Sequence, residues 1–295
     1  MELRYKPVKK PKKWVEIQST KLTDWVTSKF SYENDTQSSL FIQQRFIRDF
    51  MQPGSPYRGV MLYHGLGVGK TAAAIVAAEG YINKGVCVML PASLRQNFVG
   101  EIQKYGNRMF STDQHWTFMN KNDVDTETLS FYKLEKPKYV MSTKSGEKTK
   151  GLWIPDVESP SNFEKLSLLN RNNIQKQLFD MINSYYNFIH YNGISKTKLI
   201  EMTENNTINP FDNTFIIIDE VHNFVSRVVN KRKVSVAIYD MLMNAENCKI
   251  VLLSGTPLIN YPHELACIHN LVRGKLEYHS FTYGPKIFDV NLVRE

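Results

Sequence analysis

Val60-Met61-Leu62-Tyr63-His64-Gly65-Leu66-Gly67-Val68-Gly69-Lys70-Thr71 decides the fold class of this 295-residue chain. The apolar start reads as a buried strand, glycines follow at every second position, and Lys-Thr opens a helix expected over about 71–84. Glycine allows a tight turn at positive φ and brings backbone N–H groups up to an anion without a Cβ in the way. The helix that follows aims its N-terminal dipole at the same point. The backbone at Gly65, Gly67, Val68 and Gly69 would line a nucleotide-phosphate cradle, with Lys70 reaching the β and γ phosphates and the Thr71 hydroxyl suited to Mg²⁺. His64 stands where a strict P-loop has its first glycine, so the stretch fits the shorter form x-x-G-x-G-K-T.

About 150 residues downstream lies the partner of this cradle. Phe215-Ile216-Ile217-Ile218-Asp219-Glu220-Val221-His222 is an apolar, β-branched run ending in two carboxylates. A parallel strand covered on both faces reads this way, and its C-terminal end projects the acids to the ligand edge of an open α/β sheet. There Asp219 suits Mg²⁺ through a water, and Glu220 is placed to polarise an attacking water as general base. A third strand, Lys249 to Leu253, ends in Ser254-Gly255-Thr256-Pro257-Leu258, whose hydroxyls Ser254 and Thr256 can hydrogen-bond His222 and relay the state of the γ-phosphate. The pattern predicts an α/β domain, a parallel sheet flanked by helices.

The rest of the chain is built around these strands. Residues 1–13 hold Lys6, Lys9, Lys10, Lys12 and Lys13 with two prolines, and read as a solvated basic arm, with a phosphate-contacting arm as the alternative. Leu40 to Met51 has the apolar spacing of a helix packed on the domain, and Gln44, just upstream of the cradle, could read the adenine edge. Val86 to Leu90 is a buried strand. The turn after it carries Ser93, Arg95, Gln96 and Asn97, residue types suited to a sugar–phosphate backbone at a ligand-binding edge. Residues 106–165 are polar with scattered aromatics and read as an insertion, with a flexible tip at Lys144 to Lys150. A helix over 165–187 and a short strand Phe188 to Tyr191 follow.

A net charge of +8 permits a polyanionic partner. Three scattered cysteines exclude a disulfide framework or a zinc site and fit a reducing compartment. With no central apolar run at the N-terminus and no stretch long enough to cross a bilayer, a soluble intracellular protein is expected, with no membrane partner.

HGLGVGKT, DEVH and SGTP, in this order on successive strand ends, resemble motifs I, II and III of superfamily 2 helicases and translocases. LPASLRQNF resembles motif Ia, and Gln44 (or its neighbour Gln43) the upstream adenine-reading glutamine. SGTPLINYPHEL is closer to the Snf2-like branch than to the DEAD-box branch. YHGLGVGKT, NPFDNTFIIIDEVHN and NCKIVLLSGTPLINYPHEL resemble helicases of nucleocytoplasmic large DNA viruses, among them the poxvirus early transcription factor small subunit and nucleoside triphosphatase I. The resemblance spans about 40–275. It implies a RecA-like domain (36–275, after an arm at 1–35) of an ATP- and Mg²⁺-dependent motor on nucleic acid, with DNA, viral transcription proteins, and a virion or viral factory as its setting.

Such motors close the nucleotide site with arginines from a second RecA-like domain. No Q-x-x-R-x-x-R stretch is present and only a short tail, 276–295, follows, so the chain reads as the first half of a motor. The missing half would come from another chain or a longer form. The alternative is a nucleotide-responsive binding subunit of a viral transcription or packaging assembly, without turnover alone. A P-loop kinase or GTPase would not account for DEVH followed by SGTP.

Overall fold

Phe215–Ile218 contains no polar side chain because both of its faces are covered. Phe215 and Ile217 point into one core, and Ile216 and Ile218 into another. Val86 and Val88 alternate in the same way with Cys87 and Met89, as do Val251 and Leu253 with Ile250 and Leu252. The computed structural model describes residues 4–32, 39–63, 69–143, 146–156, 158–256, 261–275, 278–281 and 290–293.

In chain order the strands are β1 (Gly59–Tyr63), β2 (Val86–Met89), β3 (His115–Asn120), β4 (Tyr139–Ser142), β5 (Lys148–Asp156), β6 (Tyr186–Ile189), β7 (Phe215–Ile218), β8 (Lys249–Ser254), β9 (Tyr278–Phe281) and β10 (Val290–Val293). The helices are α1 (Leu22–Lys29), α2 (Ile42–Phe50), α3 (Lys70–Ala78), α4 (Arg95–Tyr105), α5 (Thr126–Phe131), α6 (Leu168–Tyr185), α7 (Lys196–Met202), α8 (Val221–Val229), α9 (Lys233–Asn244) and α10 (His263–Arg273). Five strands form a parallel sheet in the order β1-β8-β7-β2-β6. Helices α3, α4 and α6 contribute to the core on one face, and α8, α9 and α10 to the core on the other. This is the three-layer α/β architecture expected of a RecA-like domain.

Strand order does the positioning. With β8 between β1 and β7, the strand ends at Tyr63, Ser254 and Asp219 become neighbours although they are far apart in sequence. Helix α3 is shorter than expected, giving way at Glu79 to a 3₁₀ turn, Glu79–Tyr81. Its Ala72 to Ala78 are all buried. Five alanines in that run let the helix lie close on the sheet.

The insertion has structure that the sequence pattern did not show. β3, β5 and β4 form an antiparallel sheet. Around the expected flexible tip, Thr143 donates to the Glu147 carbonyl (3.0 Å) and β5 starts at Lys148; Lys144 and Ser145 lie outside the described residues. Helix α6 holds this sheet through side-chain amides. Gln177 accepts from Trp153 N–H (2.9 Å) and donates to its carbonyl (2.7 Å), and Asn170 does the same for Ser142 (2.8 and 3.1 Å). Each amide supplies the donor–acceptor pair that a neighbouring strand would have supplied.

The N-terminal segment also departs from expectation, because it is laid along the domain. Both oxygens of the buried Asp49 accept from its backbone, Oδ1 from Val8 N–H (3.2 Å) and Oδ2 from Lys9 N–H (3.0 Å). Gln52 donates to the Lys9 carbonyl (2.8 Å) and the Tyr57 hydroxyl to that of Val15 (2.6 Å). Trp14 packs among Trp25, Phe30 and Tyr57. Further back, Glu79 accepts from Arg4 N–H (3.1 Å) and Tyr5 N–H (3.4 Å). A chain with these fixed partners is not a solvated arm.

Candidate functional site

The described site begins at Gly69. Gly65, Gly67 and Val68 of the expected cradle lie outside the described residues. Gly69 has φ +77° and forms the left-handed entry to α3. The positive φ is what calls for glycine, and a Cβ there would stand 2.5 Å from Gln44 Nε2 and push that side-chain end aside. Lys70 and Thr71 open the helix, half-buried.

Gln44 is placed beside the cradle, donating to the Gly69 carbonyl (3.4 Å), and it is buried. Its Oε1 accepts the Phe41 N–H (3.0 Å) and so caps α2. The amide that the sequence offered for adenine reading is therefore engaged within the fold, while the neighbouring Gln43 is half-buried.

Across the edge, Asp219 N–H donates to the Met89 carbonyl (2.8 Å), which extends the β2–β7 ladder by one residue and seats the carboxylate. Burial first, and then the charge of Glu220, push the Asp219 carboxyl up to about 6; the Glu220 N–H and the charge of Lys70 act against the rise. Lys70 and Asp219 thus feel each other electrostatically, although 149 positions separate them in sequence. Among the described residues no three His, Cys, Asp or Glu gather into a cation cage. A divalent ion here would draw on Asp219, the Thr71 hydroxyl, water and phosphate oxygens, which is how Mg²⁺ is commonly held.

Glu220 caps α8 in the left-handed conformation, φ 48° and ψ 50°. For a non-glycine residue this costs on the order of 1–3 kcal/mol and persists only where its surroundings enforce it. Two groups do so. Asp219 Oδ1 accepts the Glu220 N–H (3.0 Å), and the buried Tyr191 hydroxyl donates between the carbonyls of Asp219 (3.0 Å) and Glu220 (3.1 Å). Sequence reasoning passed over Tyr191, although its place at the end of β6, on the ligand edge, was a usable signal.

The third motif meets the second. His222 Nδ1 lies 2.8 Å from Ser254 Oγ and 3.4 Å from Glu220 Oε2, and Ser254 Oγ accepts the Thr256 N–H (3.0 Å). Glu220, His222, Ser254 and Thr256 form one connected polar chain between β7 and β8. Pro257 and Leu258 lie outside the described residues.

The four residues after β2 divide. Ser93 lines a cleft of about 1050 Å³ together with Glu220, His222, Asn223, Arg227 and Thr256, and Gln96 and Asn97 are exposed on α4. Arg95 is engaged elsewhere. Its Nη2 donates to Asn183 Oδ1 (2.7 Å), and the guanidinium lies over Phe179 (5.5 Å) and Phe188 (5.1 Å). The cleft's own cation is Arg227, two helical turns beyond Glu220 on the same face, a spacing that would have identified it.

These geometries can be set beside known proteins. The SNF2-related domain matches residues 32–284. The chain belongs to the SNF2-related domain family. Its relatives include a protein of Acanthamoeba polyphaga mimivirus, provisionally named ATP-dependent RNA helicase R563. It is 30% identical over 237 residues, covering 79% of this chain and 33% of that protein. A protein of Frog virus 3 (isolate Goorha), provisionally named helicase 009L, is 24% identical over 237 residues, covering 79% of this chain and 20% of its own length. This SNF2-related domain therefore spans a third or less of the length of these relatives. Among solved structures, the Sulfolobus solfataricus SWI2/SNF2 ATPase core in complex with dsDNA aligns at 15% identity and a TM-score of 0.39, over 78% of this chain and 34% of that one. No helix among the described residues is long and apolar enough to cross a membrane.

Proposed function

We propose that this SNF2-related domain binds ATP with Mg²⁺ and forms the first half of an ATP-dependent motor on DNA, serving viral transcription. The observation that carries the reading is the strand-end constellation, in which the half-buried Asp219 bonds the Glu220 N–H and sits next to the connected chain Glu220–His222–Ser254–Thr256. In this reading Gly69, Lys70 and Thr71 receive the phosphates, with Gly65, Gly67 and Val68 completing the cradle and Gln44 beside it. Asp219 and Thr71 hold Mg²⁺, which neutralises charge on the phosphate oxygens when bound. Glu220 takes the proton of the attacking water, and its strained backbone fixes where that carboxylate points. His222, Ser254 and Thr256 carry the state of the γ-phosphate to the cleft lined by Ser93 and Arg227, and these two with the exposed Gln96 and Asn97 of α4 would meet a nucleic-acid backbone. A second RecA-like domain would supply the arginines that complete the site.

The test is ATP binding and hydrolysis by the 295-residue chain with duplex DNA, single-stranded DNA or RNA, alongside Lys70→Ala and Glu220→Gln. The reading expects ATP binding that needs Lys70, and DNA-stimulated turnover that both substitutions abolish. Lys70-dependent binding without turnover would favour the nucleotide-responsive subunit. Stimulation by RNA alone would overturn the assignment to DNA, and no ATP binding would overturn the whole.

A further inference from the structure

The backbone of residues 8–15 is pinned at both ends, by Asp49 and Gln52 at Val8 and Lys9, and by Tyr57 at Val15. Between the pins the segment lines a groove of about 650 Å³ with Lys9, Lys10, Lys12, Lys13, Trp25 and, from the end of α1, Lys29. Lys9 lies over the Tyr32 ring (5.7 Å). Among the described residues, Lys10, Lys12, Lys13 and Lys29 form no ion pair. All four are exposed. Like charges held together repel one another, and a loose arm would spread them apart. Here a buried carboxylate and an aromatic cluster hold them side by side, a concentration of charge that folding alone does not require.

We infer that this groove binds single-stranded nucleic acid, at a site separate from the nucleotide edge. The lysines meet the phosphates, and Trp25, half-buried against Trp14 and Phe30, lines the groove where a base would pack. An acidic protein surface would use the lysines but has no use for an aromatic lining. The location follows from the fold. Tyr57, which holds Val15, precedes β1 at the end opposite the cradle. On α2, Gln44 touches Gly69 at one end while Asp49 grips the segment near the other. A strand held here would be tethered to the domain whatever the nucleotide state.

The experiment is fluorescence anisotropy of a labelled single-stranded oligonucleotide with the full chain, across a NaCl titration. Replacing Lys10, Lys12, Lys13 and Lys29 together by alanine should weaken binding at least about tenfold at low salt. It should also reduce the slope of log K against log[salt] by about 3, since each phosphate contact on a single strand contributes about 0.7. Trp25→Phe should weaken binding a few-fold with the slope unchanged. Unchanged affinity and slope in the quadruple variant, with its fold verified by circular dichroism, would overturn the proposal. So would heparin competing as well as the oligonucleotide while Trp25→Phe has no effect, which would mark a site for acidic polymers in general. ATP binding is measured separately, so loss of the nucleotide reading would leave this result standing.

Discussion

Arg95 and the lysines of residues 9–13 are the two cationic stretches that the sequence offered to a phosphate backbone, and the fold treats them in opposite ways. Arg95 donates to Asn183 and lies over two phenylalanines, so its charge is already accommodated. Lys10, Lys12 and Lys13 form no ion pair among the described residues and stand in a groove whose backbone is fixed beneath them. The contrast shows that a cation is available to a ligand according to what the rest of the chain has already given it. In one stretch the charge does the folding, and in the other the backbone beneath the charges does.

The most severe way to break this contrast is Asp49→Ala. Asp49 is fully buried, pairs with Arg48 Nε (2.6 Å), accepts the Tyr32 hydroxyl (2.8 Å), and holds the N-terminal segment. Its loss leaves Arg48 buried without its partner and should cost about 3–5 kcal/mol in denaturant unfolding. Limited trypsin digestion should then cleave first at Lys9 to Lys13. Intact protection there would show that the groove does not depend on this clasp.

Glu79 sharpens the comparison through pH. Burial pushes its carboxyl up to about 7, against an ordinary value of 4.5, although it accepts from Arg4 and Tyr5 and feels the Arg4 charge. The folded state therefore keeps a proton that the unfolded chain releases. That stabilisation is complete below about pH 4.5 and is lost as pH rises through about 7. Unfolding midpoints at pH 5 and pH 8 should differ less in Glu79→Gln than in the wild type, by at most about 3 kcal/mol.

Arg95→Ala should destabilise by about 1–2 kcal/mol through its lost hydrogen bond and ring packing. It should leave the salt slope of oligonucleotide binding unchanged. A slope reduced by about one would mean that Arg95 leaves Asn183 to meet a phosphate. Tyr191→Phe tests the nucleotide edge in the same spirit, because that hydroxyl is spent on two carbonyls. About 0.5–1.5 kcal/mol of stability should go, with kcat for ATP reduced and KM little changed. An unaltered kcat would show that Asp219 alone holds Glu220 in place. The smallest effect belongs to the quadruple lysine substitution, whose unfolding midpoint should stay within about 0.5 kcal/mol of wild type. Its effect should appear in binding alone.

By itself, the sequence determined which strand ends meet at one edge of the sheet. Runs such as Phe215–Ile218 show burial on both faces, Gly69 ahead of Lys70-Thr71 shows the turn that opens a helix, and the parallel-sheet rule brings strand ends to one edge. These are local or topological signals. Tertiary structure decided that Arg95 is engaged, that Gln44 caps α2, that Tyr191 braces Glu220, that the insertion is a sheet held by α6, and that the N-terminal lysines form a groove. The reason is range. Arg95 meets Asn183 across 88 positions and Asp49 holds Lys9 across 40, and no local spacing reports a partner that only folding brings within hydrogen-bond distance.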